Sequence, residues 1–346
     1  MPPLSVTAPF DRSEGKTIRM TVNIGLIGCG GISNPHVRGY LKIPEQVAVT
    51  AVADVSEENA RHRSEQLGGA QIFSDYHELI STADIQAVDI CLPHHLHADA
   101  IVAAAEAGKH ILCEKPLCIT LDEATRVKDA IQANGVTLMC AHNQLYMPPV
   151  AKAREMIQNG TLGKVYEIRT TDCFFNRGLN KDMGWRGSLE TAGGGELIDT
   201  GYHPTYLLLH LATSEPTAVA AMVSQHRLEM EGEDSAQVLV RFADGSVGNI
   251  VTSWAYGLPT TSERFSVVAE NGTLWSDGRT LSYRSGEITT TYDFPQVGLF
   301  DAEVADFVDC VRTGRRPLNT EEEGVHVLKV ILGAYTSAKE ERIVSF

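Results

Sequence analysis

Two patterns of apolar and polar positions divide the chain. Residues 22–28, 47–53, 87–92, 110–113 and 136–140 are short runs of Val, Ile, Leu, Ala and Cys with few polar interruptions. Runs of this length read as strands buried on both faces. Residues 56–67 and 97–107 lie between them with helical spacing, and Gly108 follows the second as a helix-ending residue. Helices between buried strands predict a parallel sheet covered on both sides, so residues 20–143 are expected to form an α/β domain. After a further amphipathic helix at 148–159 the pattern changes. Residues 165–174, 217–227, 235–242, 246–256, 264–270, 273–276 and 288–294 read as strands, and Asp244-Gly245 and Asn271-Gly272 mark hairpins. A helix interrupts them near 194–211, and helices return at 300–312 and 320–342. Residues 144–346 are therefore expected to form an α+β domain around a large, mostly antiparallel open sheet arranged as a meander. Its last helices should pack back on the first domain.

Alternating residues of that sheet, such as Val238, Val240, Ile250 and Thr252, are too apolar to leave both faces wet. One face should meet the helices and the other a second copy of the chain.

Charge and composition narrow the partners. Lys and Arg number 29 against 44 Asp and Glu, a formal net charge of −15, which repels nucleic acid and anionic membranes alike. No run approaches the ~18 apolar residues of a membrane span. Residues 1–19 have neither a basic segment nor a continuous apolar one, so they read as a flexible arm and not as a secretory signal. The seven cysteines are scattered without C-x-x-C spacing, as expected of a reducing cytoplasm.

Four segments carry chemistry. The first strand runs into Gly28-Cys-Gly30-Gly31-Ile32-Ser33, a G-x-G-x-x-S loop before a helix. Gly28 allows the tight turn and Gly30 the approach of a pyrophosphate, with the N–H groups of Gly31 and Ile32 facing the anion. The second strand ends in Asp54, whose carboxylate would take both adenosine ribose hydroxyls and repel a 2′-phosphate, favouring NAD over NADP. This is the arrangement of a Rossmann dinucleotide-binding domain. Pro93-His94-His95-Leu96-His97 follows a later strand; three clustered histidines suggest metal, but the ligands do not converge from separate segments. The preferred reading is no metal and a loop that touches the cofactor through Pro93 and His94, with His97 opening a helix. Cys113-Glu114-Lys115-Pro116 ends the next strand, putting Lys115 at the carboxyl edge of the sheet above the nicotinamide; the Lys115–Pro116 bond is a candidate for the cis form. Asp199 and His203 are four apart, on one face of an expected helix, where a carboxylate would raise and orient the imidazole as an acid/base. Pro204 predicts a local kink there.

Together these segments resemble the Gfo/Idh/MocA oxidoreductases, the family of glucose–fructose oxidoreductase and inositol dehydrogenase, over residues 21 to about 340. The resemblance is carried by Gly28-Cys-Gly30, Pro93 to His97, residues 107–116 with Glu114-Lys115-Pro116, Gly160-Thr-Leu-Gly163, and Gly193-Gly-Gly-Glu-Leu-Ile-Asp199-Thr-Gly-Tyr-His203. It implies NAD(P)-dependent hydride transfer at a hydroxyl carbon of a sugar, polyol, inositol or sugar acid. Lys115, Asp199 and His203 would be catalytic, with Asp199 orienting His203. His97, Glu114, Lys115, Asn143, Trp185 and Arg186 join the cofactor contacts, and Asn176, Arg177 and Trp185 join Lys115, Asp199 and His203 toward substrate. A homodimer or homotetramer is also implied. Two other readings stand beside it. One is an oxido-isomerase, eliminase or glycosidase using transient oxidation. The other is a non-enzymatic dinucleotide-sensing regulator.

Overall fold

The structure is a computed structural model that describes residues 21–176, 183–258 and 263–346. Six parallel strands form the first sheet: β1 (Val22–Ile27), β2 (Val47–Ala53), β3 (Gln71–Phe73), β4 (Ala87–Ile90), β5 (His110–Cys113) and β6 (Leu138–Cys140). They lie in the order β3-β2-β1-β4-β5-β6. The order reverses between β1 and β4, so the chain leaves these neighbours in opposite directions and opens a crevice beyond their carboxyl ends. Gly28 and Pro93 follow the two strands bordering that crevice, and Lys115 follows β5, the neighbour of β4. β3 was not foreseen: it is a three-residue edge strand with two exposed positions, too short and too polar to register as an apolar run.

The second sheet has nine strands: β7 (Val165–Cys173), β8 (Pro216–Ser224), β9 (Ser235–Phe242), β10 (Val247–Ser253), β11 (Phe265–Ala269), β12 (Gly272–Ser276), β13 (Thr280–Ser285), β14 (Ile288–Asp293) and β15 (Val344–Ser345). Their order is β14-β13-β12-β11-β7-β10-β9-β8-β15. The expected single meander is thus corrected. β7 inserts between two runs of hairpins, parallel to β10 and antiparallel to β11. Gly245, at φ +87°, closes the β9–β10 turn, where Asp244 accepts the Ser246 N–H at 2.9 Å.

A second correction concerns the sheet faces. Val238, Val240, Ile250 and Thr252 are fully buried against the helices of this same chain. They give no evidence about the other face, which instead carries Leu239, 51% exposed, with Met222 and Val247. Helix Glu321–Glu340 begins with a capping box in which Thr320 and Glu323 satisfy each other's backbone N–H groups, and packs on β8 and helix Leu121–Asn134. Helix Leu299–Thr313 returns to the first domain and lies against helix Ser33–Tyr40, close enough that a Cβ on Gly39 would meet Val304 at 2.5 Å. All seven cysteines are free thiols. No helix of the described residues is long and apolar enough to cross a membrane.

Candidate active site

The glycine loop is shaped by close approach on one side and by space on the other. Gly28 takes φ +91°, and a Cβ there would sit 2.4 Å from the Cys91 carbonyl oxygen. Only glycine fits. At Gly30 and Gly31 an added Cβ would meet no atom within 4 Å, so the loop leaves open the room a pyrophosphate requires at the start of helix Ser33–Tyr40. Ser33, in place of the usual third glycine, braces the turn: its hydroxyl donates to Gly30 O at 2.7 Å and accepts from the buried guanidinium of Arg63 at 2.8 Å. Asp54 accepts the Cys29 N–H through one oxygen and the Ser56 N–H through the other, both at 2.7 Å. It is half-buried, and each oxygen retains a lone pair for a ribose hydroxyl.

The histidine loop turns inward. His94 is 3% exposed, with Nδ1 2.9 Å from Ala192 O and its ring edge-on to Trp185 at 4.4 Å. Burial brings its pKa down to about 3, so the ring is neutral. His97 is fully buried. Its Nδ1 is 2.6 Å from Pro116 O and its Nε2 2.8 Å from Leu92 O, and burial lowers its pKa as well. This ring ties the loop after β4 to the cis Lys115–Pro116 peptide. Pro93 precedes the turn that presents both histidines.

Lys115 reaches across to the second domain, where its Nζ donates to Asp199 Oδ1 at 2.5 Å and to Asp199 O at 2.9 Å. Arg186 Nε donates to the other oxygen, Oδ2, at 2.6 Å, and its guanidinium stacks on Trp185 at 4.2 Å. Burial alone would raise the Asp199 pKa; Lys115, with Arg186 on the other oxygen, more than reverses this and holds the carboxylate well below its ordinary range. The expected orientation of His203 by Asp199 gives way to another contact. The helix breaks after Asp199: Glu196–Asp199 is one turn, and Tyr202–Leu211 begins beyond Gly201. Pro204 falls in the first turn of the latter, where no N–H is needed. His203 Nδ1 lies instead 2.8 Å from Tyr206 Oη, which also receives the Gln144 N–H at 3.1 Å and lies 3.4 Å from Asn143 Oδ1. The imidazole pKa is correspondingly lowered and not raised, by burial first and then by Lys115 and Arg264, against the smaller pull of Asp199.

Asn176 stands at the end of β7, its N–H bonded to Trp254 O at 3.0 Å; Arg177 lies outside the described residues. Sequence reasoning missed Tyr206, although its place three residues after His203 on a helix was a signal. It also missed Asp172, which pairs bidentately with Arg264 at 3.1 and 2.9 Å. A carboxylate at an inward position of an alternating strand, after Ile168 and Thr170, was the available clue.

Sequence comparison fits this geometry. Residues 22–142 match the family described as "Oxidoreductase family, NAD-binding Rossmann fold", and residues 150–275 match its "GFO/IDH/MocA C-terminal domain". The chain belongs to the GFO/IDH/MocA oxidoreductases. Among relatives of this GFO/IDH/MocA protein, levoglucosan dehydrogenase of Pseudarthrobacter phenanthrenivorans is 31% identical over 66% of each chain. Myo-inositol 2-dehydrogenase of Thermotoga maritima is 27% identical over 93% of this chain and 98% of its own. A solved structure of levoglucosan dehydrogenase in complex with NADH and levoglucosan superposes with a TM-score of 0.87 at 25% identity, covering 94% of this chain and 99% of that one.

Proposed function

We propose that this oxidoreductase removes hydride from a ring hydroxyl carbon of a sugar or polyol, with NAD as the acceptor. The observation that carries the reading is the meeting of Lys115 from one domain with Asp199 and His203 from the other, beside a glycine loop with room for a dinucleotide. Gly28, Gly30, Gly31 and Ile32 would hold the pyrophosphate and Asp54 the adenosine ribose, and the nicotinamide supplies the hydride acceptor.

The chain's own groups do the rest. Tyr206 can accept from His203 Nδ1–H while donating to Asn143, which leaves Nε2 unprotonated to take the hydroxyl proton. Lys115, fixed by Asp199, stabilises the negative charge developing on that oxygen. Asp199 therefore positions the lysine. Burial first, and then the two cations beside it, favour the neutral form of His203, the form a base requires at the start of the reaction. Arg264, near enough to His203 to lower its pKa, and its partner Asp172 would offer polar contacts to further hydroxyls.

NADH formation during a screen of monosaccharides, anhydrosugars and inositols, with NAD and NADP compared, tests the proposal. Turnover with a cyclic polyol and a lower Kd for NAD are expected. Product without net NADH would point to transient oxidation, and tighter NADP binding would overturn the role of Asp54. The outer sheet face with Met222, Leu239 and Val247 would be covered by a second copy, so light scattering should give a dimer or a higher even number.

A further inference from the structure

Behind Lys115 lies a buried set of charges that the reaction does not use directly. His36, on the helix that begins at the glycine loop, is fully buried. Its Nδ1 is 2.9 Å from Asp89 Oδ2 on β4, and its Nε2 is 3.1 Å from Glu114 Oε1. An ionised carboxylate can only accept, so two such contacts require a proton on both ring nitrogens. Glu114 uses its second oxygen to accept the main-chain N–H of Lys115 at 3.0 Å. Tyr40 Oη donates to Asp89 Oδ2 at 3.0 Å, and Cys91 Sγ lies 3.6 Å from Asp89 Oδ1. From the helix Leu299–Thr313, Phe300 packs on the imidazole ring at 5.4 Å, and the fully buried Glu303 adds a carboxyl with both oxygens unpartnered.

We propose that His36 is a positioning residue: an imidazolium bridging Asp89 and Glu114, it locks the main chain of Lys115 to the helix that begins at the glycine loop. One charged bridge thereby connects the element facing the pyrophosphate to the group that meets the substrate oxygen.

The electrostatics agree with the geometry. Burial alone would strip the proton from His36, but the charge and hydrogen bonds of Asp89 and Glu114 overcome it and raise the pKa well above the ordinary value. The surrounding groups do not compete for that charge. Burial raises the pKa of Glu303, Tyr40 and Cys91, disfavouring the anionic form of each. His36, Asp89 and Cys91 also bring donor atoms within 4.8 Å of one another, a spacing that admits a metal ion. The bridge and a metal make opposite demands on Nδ1, since a metal ligand carries no proton there.

The effect on turnover rests on Lys115 acting in the reaction, so the test reads the bridge itself. In the full-length protein labelled with ¹⁵N-histidine, both ring nitrogens of His36 should remain protonated from pH 6 to 9. An unprotonated Nδ1, in a neutral or a metal-bound ring, overturns the proposal whether or not any variant folds. Labelling of Lys115 by trinitrobenzenesulfonate, followed by mass spectrometry, should rise on the order of tenfold in His36→Gln, the scale of one lost charge-assisted hydrogen bond. It should rise less in Glu114→Gln. The double variant should not exceed His36→Gln by much, because both break one bridge. Unchanged labelling in a folded His36→Gln protein, or additive effects, would sink the idea. Loss of activity in Lys115→Ala is a separate question, and its failure would leave the bridge standing.

Discussion

His36 and His203 are both imidazoles drawn out of water near the same cleft, yet their charges come out opposite. Burial disfavours the charged ring at each. At His36 two carboxylates face the two ring nitrogens, and their pull exceeds the burial penalty. At His203 the near cations are Lys115 and Arg264, while the only close carboxylate in that set, Asp199, is already occupied on both oxygens by Lys115 and Arg186. Depth therefore does not tell which histidine carries a proton. The neighbours decide. They favour the charged form of one ring, which holds structure, and the neutral form of the other, which can take a proton.

The largest test of this contrast is His203→Asn. Removing the base should lower kcat roughly 10²- to 10⁴-fold with little change in NAD affinity. In the unmodified protein, the acid limb of kcat/KM should lie below the ordinary histidine value of 6.5, because the imidazole must be protonated before activity is lost. An acid limb above that value, or near-normal turnover in the variant, would remove His203 from the mechanism.

Lys115→Ala should cost roughly 10²- to 10³-fold in kcat, the scale of one preorganised electrostatic donor. It also removes a charge that depresses His203. The residual activity should then show its acid limb shifted upward, toward the ordinary value. A limb that stays in place would mean that burial and Arg264 alone set the histidine.

The contrast also marks what the residues alone could reveal. The glycine loop, Asp54 and the Glu114-Lys115-Pro116 turn are local, each written in a few consecutive residues at the end of an apolar strand. The roles of Asp199 and His203 depend on backbone path. A spacing of four places them on one face only in an unbroken helix, and the chain breaks at Thr200–Gly201, where a Cβ on Gly201 would meet Leu197 at 2.7 Å. Asp199 thus faces the first domain while His203 turns to Tyr206. His36 was invisible for a related reason. Its partners Asp89 and Glu114 are 53 and 78 residues away and meet it only once β4 and β5 lie side by side. In the second sheet, the β9–β10 and β11–β12 hairpins were announced by Asp244-Gly245 and Asn271-Gly272, whereas β13 (Thr280–Ser285) was not foreseen and the seat of β7 between β10 and β11 is set by long-range pairing that no local signal encodes.

Tyr206→Phe separates the histidine's tautomer from its charge. The ring keeps its cationic neighbours but loses the hydroxyl that can accept from Nδ1–H. A decrease of about tenfold in kcat, with KM nearly constant, is expected for one such hydrogen bond. Unchanged turnover would show that another group selects the tautomer.

The smallest effect per residue appears in stability against pH. His203 has a folded-state pKa below its unfolded value of 6.5, so under mild acid the unfolded chain binds a proton that the folded chain refuses. Its contribution is fully present above pH 6.5 and fades as pH falls toward the folded pKa, by at most about 1.4 kcal/mol for each pH unit. His94 and His142, both near 3, and His210, near 4, act in the same direction. His36 does not add to this slope: below 6.5 it is protonated both folded and unfolded, and its contribution fades only as pH rises. Urea midpoints at pH 7, 6 and 5 should therefore fall steadily in the unmodified protein, and less steeply in His203→Asn. Equal slopes in the two proteins would show that the His203 ring takes up its proton as readily folded as unfolded, and the contrast with His36 would be lost.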